Sequence, residues 1–208
     1  PGLLLGGGWL KVDQPDEKNG RRGTGDQAAH VGNGMNSLTH NVFGYGSLLW
    51  NPGFAYTQVR KVWLPDWSRR LWQGSTDHRG TPEYPGVVCT LVPTPGSGCW
   101  GLAYEVGNQD WPAIQAELDY REKDGYQLRR VSARWQEEDL ACWTYVADKQ
   151  NPSYLGEPPL HELVARIRRA AGPSGHSADY LLRLAQTLEE LEIEDEHVRQ
   201  LVKALQVQ

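Results

Sequence analysis

One acidic side chain is set apart by its place in a pattern. Between Asp110 and Arg121 the spacing predicts a helix with an apolar stripe of Trp111, Ile114 and Leu118. Glu122 follows these residues at i+11, i+8 and i+4, so it projects from the same face, toward the interior. A carboxylate there is opposed twice: the carbonyl end of the helix dipole disfavours negative charge, and so does burial beside tryptophan and leucine. Both effects raise its proton affinity, and a carboxyl group that titrates near neutrality can take up and return a proton. An ordinary helix-end glutamate paired with Arg121, Lys123 or Arg129 satisfies the same spacing, and geometry alone does not choose between the two.

Upstream, Val42-Phe43-Gly44-Tyr45-Gly46-Ser47-Leu48-Leu49-Trp50 reads as a strand opening into a tight loop. Successive backbone N–H groups on such a loop form a cradle for a carboxylate or an oxyanion. A strand end that needs close backbone approach uses glycine in the same way. No Gly-Lys-Ser/Thr follows and a third glycine is missing, which excludes a P-loop and a complete dinucleotide fingerprint. A second polar stretch, Ser68 to Gly80, holds Arg69, Arg70, Asp77, His78 and Arg79, and alternation directs some of these toward the face of the glycine loop. An arginine or histidine there can hold a carboxylate; equally, Asp77, His78 and Arg79 can close a turn among themselves. A serine triad lacks its Gly-x-Ser-x-Gly elbow. His161-Glu162 lacks the second histidine of a zincin, and the six histidines are scattered, so no metal site is expected.

The elements that must position these groups are short. Strands are expected at Val59–Trp63, Ser68–Gln73, Gly86–Val92, Cys99–Val106, Tyr126–Trp135 and Ala141–Val146, with turn residues between them. The helix ahead of Glu122 has Asp110 as its expected cap and Pro112 in its first turn, where a missing N–H is harmless. Leu160, Leu163, Val164 and Ile167 mark a second helix, ended by Gly172-Pro173. Ser177 is the expected cap of a third, which buries Leu181, Leu184, Ala185 and Leu188. After an acidic break at Glu194-Asp195, a last amphipathic segment carries Val198, Leu201, Val202 and Leu205. Strands first, one helix among them and helices last make an α+β plan: a small curled sheet or barrel with flanking helices.

Composition narrows the function classes. The 208 residues fit one domain with a core, and a formal charge of −5 offers no basic field for nucleic acid or anionic lipid. No long apolar run is present, and Leu3-Leu4-Leu5 is too short for a signal peptide's core, so a soluble cytosolic protein is expected. Cys89, Cys99 and Cys142 are odd in number and far apart, as reduced buried thiols would be. Residues 1–40 are rich in Gly, Asn, Asp and Gln without helix or strand period, and read as a disordered extension. The chain's only methionine, Met35, lies just before the patterned region, at an expected native start.

Four segments in this order resemble one family: Val42 to Trp50, Arg69 to Gly80, Leu118-Asp119-Tyr120-Arg121-Glu122-Lys123-Asp124-Gly125-Tyr126, and Asn151-Pro152-Ser153-Tyr154-Leu155-Gly156. They are similar to the ChaC family of glutathione-specific γ-glutamylcyclotransferases, over about Val42 to Leu191. Ala170 to Gly175 resembles that family's interhelical turn. The resemblance implies a mixed β-barrel with packed helices over residues 41–208, with Gly44, Tyr45, Gly46, Ser47, Leu48 and Leu49 binding substrate and Glu122 as the one catalytic residue. It further implies glutathione as substrate, no cofactor, no metal, and no nucleic-acid or membrane partner. Arg79 and Tyr145 are further candidate substrate contacts, the latter as a hydroxyl donor from a late strand. A monomer of this size is sufficient for such chemistry.

Overall fold

The structure, a computed structural model, describes residues 39–207. The expectations for residues 1–40 and for Met35 lie outside these residues, except that Thr39 and His40 already open the first strand. Five strands, β1 (Thr39–Gly44), β2 (Gln58–Ser75), β3 (Gly86–Gly107), β4 (Gln127–Trp135) and β5 (Glu138–Val146), close a barrel in the order β1-β3-β2-β4-β5. Neighbours are antiparallel except β1 and β5, which meet in parallel at Val42 and Trp143 and make the barrel mixed. That closure fixes where β1 ends, and the loop after it opens at the barrel's rim.

Two pairs of expected strands are each one long strand. Val59–Trp63 and Ser68–Gln73 join within β2, and Gly86–Val92 and Cys99–Val106 join within β3. The turn residues between them are absorbed by an irregularity instead of a loop. The register shifts between Pro65 and Trp67, Asp66 adopts φ 62°, and its carboxylate accepts from the Gly96 N–H at 2.8 Å. A bulge of this kind bends both strands without breaking their ladder.

Helix α1 (Trp111–Arg121) crosses from β3 to β4 and buries Trp111, Ile114 and Leu118, the expected stripe. Asp110 holds the N-cap place, but its side chain makes no capping bond; its carbonyl starts the helix by accepting from Ile114 N–H. Helix α2 (Leu160–Arg169) ends at Ala170, whose backbone is extended, so Gly172-Pro173 does not form its cap. Gly172 sits instead in a small hairpin of β6 (Ala171–Gly172) and β7 (Gly175–His176). Ser177 does not cap α3 (Ser177–Glu190). It is that helix's first residue, and its hydroxyl accepts from Val87 N–H at 2.9 Å and donates to Val87 O at 3.2 Å, which laces α3 to β3. Asp195 does cap α4 (Glu196–Gln206), accepting from Val198 N–H at 3.1 Å.

One core runs from the barrel interior into the helices, through Phe43, Leu64, Leu71 and Leu91 to Leu163, Leu181, Leu184 and Leu201. The three cysteines are buried and free. No helix among the described residues is long and apolar enough to cross a membrane.

Candidate active site

The loop after β1 is built so that its donors are left over. Gly44 has no Cβ, and one would lie 2.8 Å from Leu48 Cβ, so only glycine lets the chain fold back this tightly. Ser47–Leu49 then form a 3₁₀ turn. Every carbonyl from Tyr45 to Leu48 is engaged: Tyr45 O accepts from Arg69 Nε at 2.6 Å, Gly46 O from Leu49 N–H, Ser47 O from Trp50 and Asn51 N–H, and Leu48 O from the Tyr104 hydroxyl at 2.6 Å. The N–H groups of Gly46, Ser47 and Leu48 donate to no acceptor among the described residues. A loop with satisfied carbonyls and open amides presents positive dipole ends to an incoming anion.

Arg69 stands behind this loop. It is only 1% exposed, and besides Tyr45 O it binds Asp195 Oδ2 through Nη1 at 2.7 Å and Trp100 O through Nη2 at 2.6 Å. The cap of the last helix thus reaches the loop through one guanidinium. From the other side, Arg121 gives Nη2 to Ser47 Oγ and Nη1 to Asn51 O, both at 2.8 Å, which ties the end of α1 to the same turn.

Glu122 is the C-cap residue of α1, with its N–H bonded to Leu118 O at 2.8 Å. Its side chain is 18% exposed and lies 3.5 Å from Arg121 Nε. Glu122 therefore both meets the neighbouring arginine and faces a cavity. Burial pushes its proton affinity above the ordinary carboxylate value; Arg121 and His78 pull it down, while Asp124 and Asp77 push it further up. The cavity holds about 440 Å³ and is lined by Tyr45 to Leu48, Glu122, Asp77 to Arg79, Asp124, Tyr145 and Tyr180 among others, a size suited to a small organic molecule. A general acid/base beside a cradle of amide donors can move a proton on a substrate whose anionic group the cradle holds.

Residues 40–208 match the family model of ChaC-like proteins. The chain belongs to the ChaC family. It is 39% identical over 171 residues to the human protein named glutathione-specific γ-glutamylcyclotransferase 1, an alignment covering 79% of this chain and 77% of the relative. The fission yeast (Schizosaccharomyces pombe) protein named glutathione-specific γ-glutamylcyclotransferase is 33% identical over 180 residues, covering 77% and 89%. Among solved structures, a crystal structure of a glutathione-specific γ-glutamyl cyclotransferase from yeast aligns with a TM-score of 0.75 and 26% identity, over 80% of this chain and 95% of that one. The α+β barrel is therefore a γ-glutamylcyclotransferase fold.

Within this ChaC barrel the sequence-derived candidates separate. Tyr45, Gly46, Ser47, Leu48, Arg79, Glu122 and Tyr145 share the cavity. Gly44 and Leu49 are not among its lining: Gly44 serves the close approach of Leu48, and Leu49 is a buried core side chain. Tyr145 reaches the cavity, but its hydroxyl donates to Asp119 Oδ1 at 2.5 Å, so the donor is engaged by α1. Asp77, His78 and Arg79 do not close a turn by themselves, since the Arg79 N–H bonds Ser75 Oγ and His78 Nδ1 meets Ser174 Oγ on the hairpin. Sequence reasoning missed Tyr126 and Tyr180 as lining residues, because tertiary packing rather than local spacing brings them in: Tyr126 bonds Cys89 O through its hydroxyl, and Tyr180 comes from α3. It also passed over Cys89, which lines the cavity; burial pushes its thiol up to about 12, leaving almost no thiolate at neutral pH.

Proposed function

We propose that this ChaC protein is a glutathione-specific γ-glutamylcyclotransferase, converting glutathione to 5-oxoproline and cysteinylglycine with Glu122 as general acid/base. One juxtaposition carries the reading: a carboxyl group whose proton affinity is raised by burial shares a cavity with three backbone donors that have no acceptor of their own. The substrate's α-amine attacks its own γ-amide carbonyl carbon; that C–N bond closes the lactam, and the bond to the cysteinyl nitrogen breaks. Glu122 as carboxylate takes a proton from the ammonium, freeing the lone pair for attack, and as carboxylic acid hands it to the departing nitrogen. The ring nitrogen loses two protons over the reaction and the departing nitrogen gains two, so no water or other reactant is consumed.

The Gly46, Ser47 and Leu48 amides receive the α-carboxylate or the carbonyl oxygen as it gains charge. Holding the γ-glutamyl chain folded in the cavity supplies the rest, since well-oriented intramolecular groups reach effective molarities of roughly 10⁵ M or more. Gly44 and Leu49 act by shaping the loop. Residues 41–208 are the catalytic unit, sufficient as a monomer, and buried free thiols with a formal charge of −5 favour a cytosolic enzyme.

The test is release of 5-oxoproline and cysteinylglycine from glutathione, with γ-glutamylalanine in parallel, by the wild type and Glu122→Gln. Release from glutathione that the variant loses is expected. No 5-oxoproline from either substrate sinks the activity, and equal use of both sinks the specificity.

A further inference from the structure

The cavity holds two arginines, and the protein engages their side chains to different degrees. Arg121 is bonded to Ser47, Asn51 and Pro52 and lies against Glu122. Arg79 forms no ion pair among the described residues; its guanidinium lies 5.7 Å from the Tyr180 ring centroid and makes one long bond, 3.4 Å, to His176 O. Its backbone, by contrast, is fixed. Arg79 N–H bonds Ser75 Oγ at 3.0 Å, and the preceding carbonyl, His78 O, accepts from Ser174 N–H at 2.9 Å on the β6–β7 hairpin. The hairpin can come this close because residue 172 is glycine, where a Cβ would fall 2.5 Å from His78 O. A cation on a rigid segment, lining a cavity with its donors largely open, is prepared for an anionic group of a ligand.

Resting on the cyclotransferase reading, we propose that Arg79 receives the glycine carboxylate of glutathione and so selects the tripeptide over shorter γ-glutamyl compounds. Glutathione has two carboxylates. The one beside the reacting amine must lie near Glu122 and the loop amides. The glycine carboxylate is two residues farther along, up to about 7 Å from the scissile nitrogen when extended. Arg79 suits that end: it lies one aromatic ring away from the loop amides, since the Tyr180 hydroxyl would be 2.9 Å from a Cβ at Gly46 while the Arg79 guanidinium is 5.7 Å from the centroid of the Tyr180 ring. A planar guanidinium can grip a carboxylate through two parallel bonds, and a site built for such a bond rejects a ligand that cannot make it.

Two ligands separate the carboxylates: glutathione, and its ethyl ester at glycine, which keeps the γ-glutamyl end intact. Turnover is compared in wild type and Arg79→Gln, and binding by calorimetry in the Glu122→Gln and Glu122→Gln/Arg79→Gln proteins. The preference of the arginine-bearing proteins for acid over ester is expected to be about 10- to 100-fold, falling to about 1 without Arg79 and partly restored by Arg79→Lys. An arginine-bearing protein that treats acid and ester alike overturns the assignment. So does an Arg79→Gln protein that loses both ligands equally, which would mean that Arg79 holds the γ-glutamyl end or the fold. If wild type releases no 5-oxoproline the cyclotransferase reading fails, while the calorimetric ratio still decides Arg79.

Discussion

The two walls of the cavity handle charge in opposite ways. On the loop wall, Arg69 and Arg121 have their donors taken by protein groups: Tyr45 O, Trp100 O and Asp195 for the first, Ser47, Asn51 and Pro52 for the second. What remains open there is one carboxyl group and a row of amides. On the hairpin wall, Arg79 is held by its backbone and open at its side chain. An arginine satisfied by the protein fixes geometry, whereas one with open donors binds what enters. On the proposed reading the loop wall governs the rate, and the hairpin wall governs which molecule is accepted.

The sharpest way to break this division is Glu122→Gln. It nearly preserves shape and removes proton transfer, so kcat is expected to fall between about 10² and 10⁴-fold, roughly 3–5 kcal/mol of barrier. Stability moves the other way or not at all. Burial disfavours the Glu122 carboxylate, so replacing it with a neutral amide should leave the melting temperature at pH 7.5 equal to or above that of wild type. A well-folded Gln variant with wild-type turnover would place the base elsewhere.

Arg69→Met tests the other half of the loop wall. It leaves the Asp195 charge unpaired and deprives the Tyr45 and Trp100 carbonyls of their donors. Losing one partner of a buried pair costs about 3 kcal/mol or more, a fall in melting temperature of roughly 10 °C at this size. Because Tyr45 O is released, kcat/KM per folded molecule should fall as well. Asp195→Asn keeps an acceptor for Arg69 and a good helix cap, so it should cost less on both counts. The reverse order, with Asp195→Asn worse, would mean that the charge pair matters and the hold on Tyr45 does not.

These partnerships explain what could be read in advance. Glu122's aim was legible because Trp111, Ile114 and Leu118 lie within three turns of it, and helical spacing is a local property. The α+β plan was legible from the order of short strands and amphipathic helices. Arg69 was visible only as part of a polar stretch: its partners lie 24, 31 and 126 residues away, and nothing in local spacing announces them. Turn residues separated the expected strand pairs, yet the β2–β3 ladder is long enough to carry a bulge past Pro65. Ser177 had the right residue type for a cap, but Val87 offers its hydroxyl both a donor and an acceptor, and tertiary contact outweighed local preference.

The smallest effect comes from Asp124, which lines the cavity beside Asp77. Burial first, then a hydrogen bond and charge from Asp77, push its carboxyl from 3.8 up to about 6. A carboxyl that holds its proton more tightly when folded contributes most to stability below pH 3.8, and loses that contribution as pH rises through about 6. Asparagine mimics the protonated form, so the advantage of Asp124→Asn should be small at pH 4.5 and larger at pH 7.5. Asp124 is partly exposed and solvent screens it, so the gain should stay below about 1 kcal/mol, near 2 °C in melting temperature. Activity reports the same charge with a separate sign. Asp124 raises the proton affinity of Glu122, and a base must be deprotonated to work, so removing that charge should move the acidic limb of kcat/KM to lower pH. A stabilised variant with an unmoved limb would mean that Asp124 belongs to the cavity's structure and not to the electrostatics of its acid.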